Sequence, residues 1–151
     1  KEAARAQRRG CGLAVALPDI DHFKKLKDTH GHKAGDDALV HLARIVRQHL
    51  RPQDVLARYG GEEFVILLPE TGGSDAQQAL TRLQRELTRE FFMADKQKVV
   101  ITFSAGVTPL GDGEPLEAAL QRADAAMYQA KQAGRNRVVV APLPAANTIS
   151  A

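Results

Sequence analysis

A chain of 151 residues with 44% hydrophobic and 26% charged side chains is long enough for one domain with a buried core, and its single cysteine, Cys11, excludes an internal disulfide scaffold and fits a reducing, cytoplasmic setting. No apolar run approaches the about 20 residues of a membrane-spanning helix, and no signal peptide is visible, although the chain opens without Met and reads as a fragment. The net charge of +3 is accounted for by Lys1, Arg5, Arg8 and Arg9 against Glu2; the body beyond is formally neutral, which argues against nucleic acid as a partner.

In chain order, residues 1–9 read as the end of a polar helix, broken by Gly10 and Gly12, with Cys11 as a small apolar residue at a strand start. Residues 13–17 (LAVAL) predict a short buried strand. Pro18 is expected to end it, because it has no amide hydrogen for a sheet ladder. Asp19 to Asp28 has helical character, closed by Gly31. Residues 34–50 place Ala38, Leu39, Leu42, Ile45, Val46 and Leu50 on one helical face. Val55–Ala57 and Phe64–Leu68 flank Gly60-Gly61 and predict a β-hairpin ended by Pro69. Residues 75–91 read as a surface helix, and 98–107, rich in Val, Ile, Thr and Phe, as a strand. Pro115 starts a helix to Ala133, with Gly134 at its stop. Residues 138–140 form a last short strand. The uncharged residues 141–151, with two prolines, read as a disordered tail. The order predicts an α+β domain over residues 1–140, a mostly antiparallel sheet with helices packed on it.

Two acidic turns carry the candidate chemistry. Asp19-Ile20-Asp21 follows the first strand and opens a helix, whose first amides, those of Phe23 and Lys24, have no intrahelical partner and favour an anion. Glu62-Glu63 lies at the hairpin. If strand and hairpin are neighbours, Asp19 and Glu62 converge; two carboxylates and a main-chain carbonyl then make a hard-oxygen site suited to Mg²⁺. Taken alone, Asp19 and Asp21 read as helix caps and Glu62-Glu63 as a solvated turn; the two segments together make the metal reading competitive.

The chain resembles the GGDEF family through Asp19-Ile20-Asp21-His22-Phe23-Lys24-Lys25, Asp28-Thr29-His30-Gly31-His32, Gly35-Asp36, Arg58-Tyr59-Gly60-Gly61-Glu62-Glu63-Phe64, Ser104-Ala105-Gly106-Val107, Ala123 to Lys131, and Gly134-Arg135-Asn136-Arg137-Val138. The resemblance implies a ferredoxin-like, palm-type sheet with the GGEEF sequence on its hairpin. It implies a diguanylate cyclase that condenses two GTP into cyclic di-GMP and two pyrophosphates, with two domains facing each other as a homodimer. Carried over by position, Asp19, the Ile20 carbonyl and Glu62 are ligands of Mg²⁺, with Mn²⁺ as the alternative ion. Glu62 also activates the attacking hydroxyl, and Glu63 assists with a second metal. Phe23, Lys24, Lys131 and Arg135 are phosphate contacts, and His32 is a further substrate contact. The resemblance also implies an upstream regulatory domain, and an N-terminal helix and turn of which residues 1–9 are only the end.

Asp36 matches the guanine-reading acid, but Lys27 stands where the family usually has Asn. An ammonium only donates, so Lys27 reaches guanine O6 or N7 while Asp36 must accept from N1 and N2. Arg51-Pro52-Gln53-Asp54, an R-x-x-D string upstream of Gly60, matches the family's inhibitory product site, which Arg82 completes. The alternative reading is a degenerate domain that binds GTP or cyclic di-GMP without turnover; a third is a relative that makes another cyclic dinucleotide.

Overall fold

The computed structural model describes residues 12–144. The helix expected over residues 1–9, Cys11 at its strand start, and residues 145–151 of the expected tail lie outside the described residues. The elements are β1 (Leu13–Ile20), α1 (Phe23–His30), α2 (His32–His49), β2 (Val55–Arg58), β3 (Phe64–Pro69), α3 (Gly73–Arg89), β4 (Phe92–Ala94), β5 (Gln97–Val99), β6 (Phe103–Pro109), α4 (Leu116–Gln132) and β7 (Val138–Val140). The central sheet runs β2-β3-β1-β6-β7, and β4-β5 is a separate two-stranded ribbon. Every central pair is antiparallel except β6–β7, which α4 connects as a crossover. The expected α+β, mostly antiparallel architecture is thus the observed one.

Period-2 alternation assigns the two sheet faces. Ala14, Ala16 and Ile20 of β1, with Phe103, Ala105 and Val107 of β6, join the cluster containing Leu42, Ile45 and Val46 of α2 and Leu80, Leu83 and Leu87 of α3. Val15 and Leu17 face the other way, against Ala119 and Ala123 of α4. α4 lies close to the sheet because its buried residues are all alanines and because residue 106 is glycine. A Cβ on Gly106 would sit 2.0 Å from the Ala123 carbonyl oxygen and 2.4 Å from the Met127 nitrogen. The Gly in the Ser104–Val107 motif is therefore a helix-packing requirement.

Three expectations need correction. Pro18 does not end β1, which continues to Ile20. The Ala105 amide donates to Arg137 O on the β7 side at 3.0 Å, so Ala105 and its partner Pro18 are not a hydrogen-bonded pair, and the Pro18 nitrogen faces away from β6. On that side the β1–β3 register stops at Ala16–Ile66, so no ladder bond is lost. The strand expected over 98–107 is two strands: Gln97–Val99 folds back on Phe92–Ala94 through Asp95 and Lys96, both at positive φ, and β6 begins only at Phe103. Ala141, expected in the tail, is held to β6: its amide donates to Val107 O at 2.8 Å and its carbonyl accepts from Thr108 Oγ1 at 2.7 Å.

Candidate functional site

The condition on which the acidic site rested is met: β3 pairs with β1. With Ala16 opposite Ile66, the antiparallel run carries the start of β3 to the end of β1, so the Tyr59–Glu63 loop overhangs Asp19. Pro18, Asp19, Tyr59, Glu63 and Phe64 accordingly line one cavity of about 280 Å³, walled on its far side by Glu117, Gln121 and Asp124 of α4. The loop is braced from within: the Tyr59 amide donates to Glu63 O at 2.7 Å, Arg58 Nη2 donates to Gly61 O at 2.6 Å, and Gly60 turns at φ 81°.

β1 delivers its last residues in alternation. The Asp21 amide bonds Thr102 O at 2.9 Å, so Ile20, one residue earlier, presents its own amide and carbonyl away from β6, on the hairpin side. The Asp19 side chain points to the α4 face, where Lys131 Nζ meets its Oδ2 at 3.0 Å. Asp21 is buried. Its carboxylate accepts from Thr102 Oγ1 and Ser104 Oγ at 2.6 Å each, from the Asn136 amide at 2.9 Å, and from Lys131 Nζ at 3.4 Å. Arg135 and Asn136, both at positive φ, turn that amide inward. Asp21 therefore ties the start of α1 to the segment bearing Lys131 and Arg135. That Asp21 is a buried hydrogen-bond centre is not visible in the residue string, although Asp21, Ser104 and Asn136 all sit inside recognisable motifs.

α1 opens at Phe23 after His22, which is left-handed at φ 58° and makes no side-chain cap. The first amides of α1 keep their free donor character. Lys24 is exposed and pairs with Asp28 at 3.0 Å. His32 is the exposed first residue of α2, and Asp36 is exposed one turn later. Lys27 does not stand free beside Asp36: its Nζ binds Glu62 Oε2 at 2.9 Å. Asp19 and Glu62 are thus each held by a different lysine.

Asp19, the Ile20 carbonyl and Glu62 are oxygen donors only, a set that fits a hard cation such as Mg²⁺. Among the described residues no group of three or more His, Cys, Asp or Glu forms a metal cage. A Mg²⁺ site built on one or two carboxylates plus substrate phosphates and water needs none.

The R-x-x-D segment forms a second assembly. Arg51, Asp54 and Arg82 line one cavity of about 260 Å³ with Thr71, Asp75 and Leu83. Arg51 Nη2 donates to Asp54 Oδ1 at 2.8 Å, to Pro69 O at 2.9 Å and to Thr71 Oγ1 at 2.9 Å. The hydrogen bonds to Asp54 push the Arg51 guanidinium above its ordinary value. Pro69 and Thr71 as holders of Arg51 were not foreseen.

A mixed sheet that presents acidic turns at the end of its central strand and on the neighbouring hairpin is the palm-like architecture of nucleotidyl cyclases. The chain belongs to the GGDEF family: the model of the diguanylate cyclase GGDEF domain matches residues 1–137. It is 45% identical over 141 residues to diguanylate cyclase DgcP of Pseudomonas aeruginosa, covering 93% of this chain and 21% of that protein. Its fold matches the GGDEF domain of DgcB from Caulobacter crescentus in complex with c-di-GMP, at 34% identity and TM-score 0.81, over 92% of this chain and 83% of that one. It also matches the active GGEEF domain of a diguanylate cyclase from Vibrio cholerae, at 33% identity and TM-score 0.80, over 92% and 88% of the two chains. The chain spans between 21% and 35% of the length of three curated relatives.

Proposed function

We propose that the chain is the catalytic domain of a Mg²⁺-dependent diguanylate cyclase, working in the cytoplasm, where GTP is found, as a pair of half-sites. The observation that supports this is the pairing of β1 with β3, by which Asp19 shares one cavity with Tyr59 and Glu63 of the hairpin. Asp19, the Ile20 carbonyl and Glu62 would hold Mg²⁺, which when bound screens the triphosphate and makes the 3′-hydroxyl of GTP more acidic.

The remaining roles follow from this chain's own residues. The free amides at Phe23 and Lys24 donate to phosphate oxygens. Lys131 and Arg135 supply positive charge to the same phosphates, with Lys131 held in place by Asp19 and Asp21. Asp36 accepts from guanine N1 and N2, Lys27 donates to O6 or N7, and His32 lies beside the base. Glu62 takes the proton of the 3′-hydroxyl as it attacks the α-phosphate of the opposing GTP, and Glu63 assists. The bond from the α-phosphorus to the bridging oxygen breaks and pyrophosphate leaves; the second attack closes the ring. Each domain brings one GTP, so the homodimer is part of the reaction. An upstream regulatory domain would control the pairing. Arg51, Asp54 and Arg82 form the product-inhibitory site.

The Lys27–Glu62 contact favours a second reading, in which the domain binds GTP or cyclic di-GMP without turnover. Incubation with GTP and Mg²⁺, followed by chromatography, separates the two. Cyclic di-GMP that disappears in Glu62→Ala supports the cyclase. Saturable nucleotide binding with no product supports the binding domain.

A further inference from the structure

The ion pair between Lys27 and Glu62 joins residues far apart in the chain: Lys27 lies on α1 and Glu62 in the loop of the β2–β3 hairpin. An exposed ion pair ordinarily contributes little, because ordering two long side chains offsets the Coulomb gain. Here one side chain is already ordered. The Lys27 stem runs over Gly35 of α2, where a Cβ would lie 2.6 Å from its Cγ and 2.9 Å from its Cδ. Its ammonium stands 4.7 Å from the centroid of the Phe23 ring. The Lys27 side chain is 24% exposed, against 87% for Lys24 on the same helix. The missing side chain at Gly35 and the ring of Phe23 thus hold a cation in front of the hairpin. The other side of the contact is positioned too, since Arg58 and Tyr59 brace the loop backbone at Gly61 and Glu63. The Glu62 side chain itself is 55% exposed.

We propose that Lys27 is an intramolecular competitor for the divalent cation at Glu62, so that cation binding requires the Lys27–Glu62 bridge to open. This rests on the assignment of Glu62 as a cation ligand made under the proposed function. A tethered ammonium acts at the high local concentration that its anchoring gives it, so the bridge lowers the affinity of the hairpin for a cation before any nucleotide takes part. Lys27 is therefore a residue that sets cation affinity as well as a candidate base contact, and Gly35 and Phe23 are positioning residues for it.

The test is direct binding of Mn²⁺ to the chain without nucleotide, read from the electron paramagnetic resonance signal of free Mn²⁺. Lys27→Met keeps the stem over Gly35 and removes the charge. It is expected to tighten Mn²⁺ binding about three- to tenfold. Lys25→Met, an equal charge loss at an exposed position of α1, is expected to change it less than about twofold, which is the general effect of one remote charge at ordinary ionic strength. In a Glu62→Gln background, Lys27→Met is expected to have no effect.

The proposal is overturned if Lys27→Met binds Mn²⁺ like the unaltered chain, if Lys25→Met tightens binding equally, or if Lys27→Met still tightens it without the Glu62 carboxylate. The Glu62→Gln variant alone separates the two levels of the argument. If it binds Mn²⁺ as well as the unaltered chain does, Glu62 is not a ligand, and the assignment and the competition fall together. If it weakens binding while Lys27→Met changes nothing, only the competition falls.

Discussion

Glu114 and Arg122 pin the end of β6 to α4. Arg122 donates from Nη2 to Glu114 Oε1 at 2.9 Å and to Pro109 O at 2.7 Å, and from Nε to Thr108 Oγ1 at 2.7 Å. Glu114 also accepts the Gly111 amide at 2.9 Å. The side chains are only 16% and 17% exposed, so solvent screens the pair weakly. The hydrogen bonds from Arg122, and then from Gly111, hold the Glu114 carboxyl down from 4.5 to about 2, against burial, which pushes it up. At roughly 1.4 kcal/mol per pH unit, and with the attraction reduced by the solvent that reaches the pair, such a shift corresponds to about 1–3 kcal/mol of folding free energy at neutral pH. The folded value lies below the unfolded one. The contribution is therefore complete above about pH 4.5 and is lost as the pH falls towards about 2. Glu114→Gln keeps the shape and removes the charge. Urea denaturation at about pH 7 is expected to show a deficit of roughly 1–3 kcal/mol, shrinking to less than half near pH 3. A deficit under about 0.5 kcal/mol at neutral pH, or one that does not change with acid, would mean that the charged pair does not stabilise the fold.

Gly106→Ala drives a methyl into the Ala123 carbonyl, backbone that cannot move as a side-chain tip would. It is expected to cost about 3 kcal/mol or more, and a melting temperature within a few degrees of the original would count against the packing account. Asp21→Ala leaves the Thr102 and Ser104 hydroxyls and the Asn136 amide without their buried acceptor. A loss of about 2–4 kcal/mol is expected in denaturant titrations, whereas near-neutral stability would mean that the Asp21 cluster is dispensable. Arg51→Ala removes the guanidinium from the cavity shared with Asp54 and Arg82. Calorimetry is expected to show weaker binding of cyclic di-GMP, and an unchanged affinity would remove this cavity from consideration as the product site.

Much of the fold was legible because it is written in local pattern. The apolar face from Ala38 to Val46, the Gly-Gly between two apolar runs, and the Pro115-to-Gly134 span each mark an element observed within a few residues of its expected place. What was not legible depends on distant partners. Pro18 is tolerated inside β1 only because β3 has stopped pairing there, and nothing near Pro18 in sequence says so. Gln97–Val99 is composed like the start of β6 but returns on Phe92–Ala94. The site divides in the same way. Local spacing made the Arg51–Asp54 pair legible, and the pairing of β1 with β3 brings Asp19 into one cavity with Tyr59 and Glu63, whereas the Asp19–Lys131 pair depends on the packing of α4. The hydrogen-bond centre at Asp21 and the capture of Glu62 by Lys27 are side-chain pairings across long stretches of chain, which residue spacing does not encode.

Whether this domain joins guanine nucleotides through Asp19 and Glu62 is decided by mass spectrometry of the products formed from an equimolar mixture of GTP and ATP with Mg²⁺. Cyclic di-GMP is expected as the cyclic dinucleotide formed, with its yield abolished in Asp19→Asn. No cyclic dinucleotide at high protein concentration, an adenine-containing product in comparable amount, or full activity in Asp19→Asn would contradict that expectation.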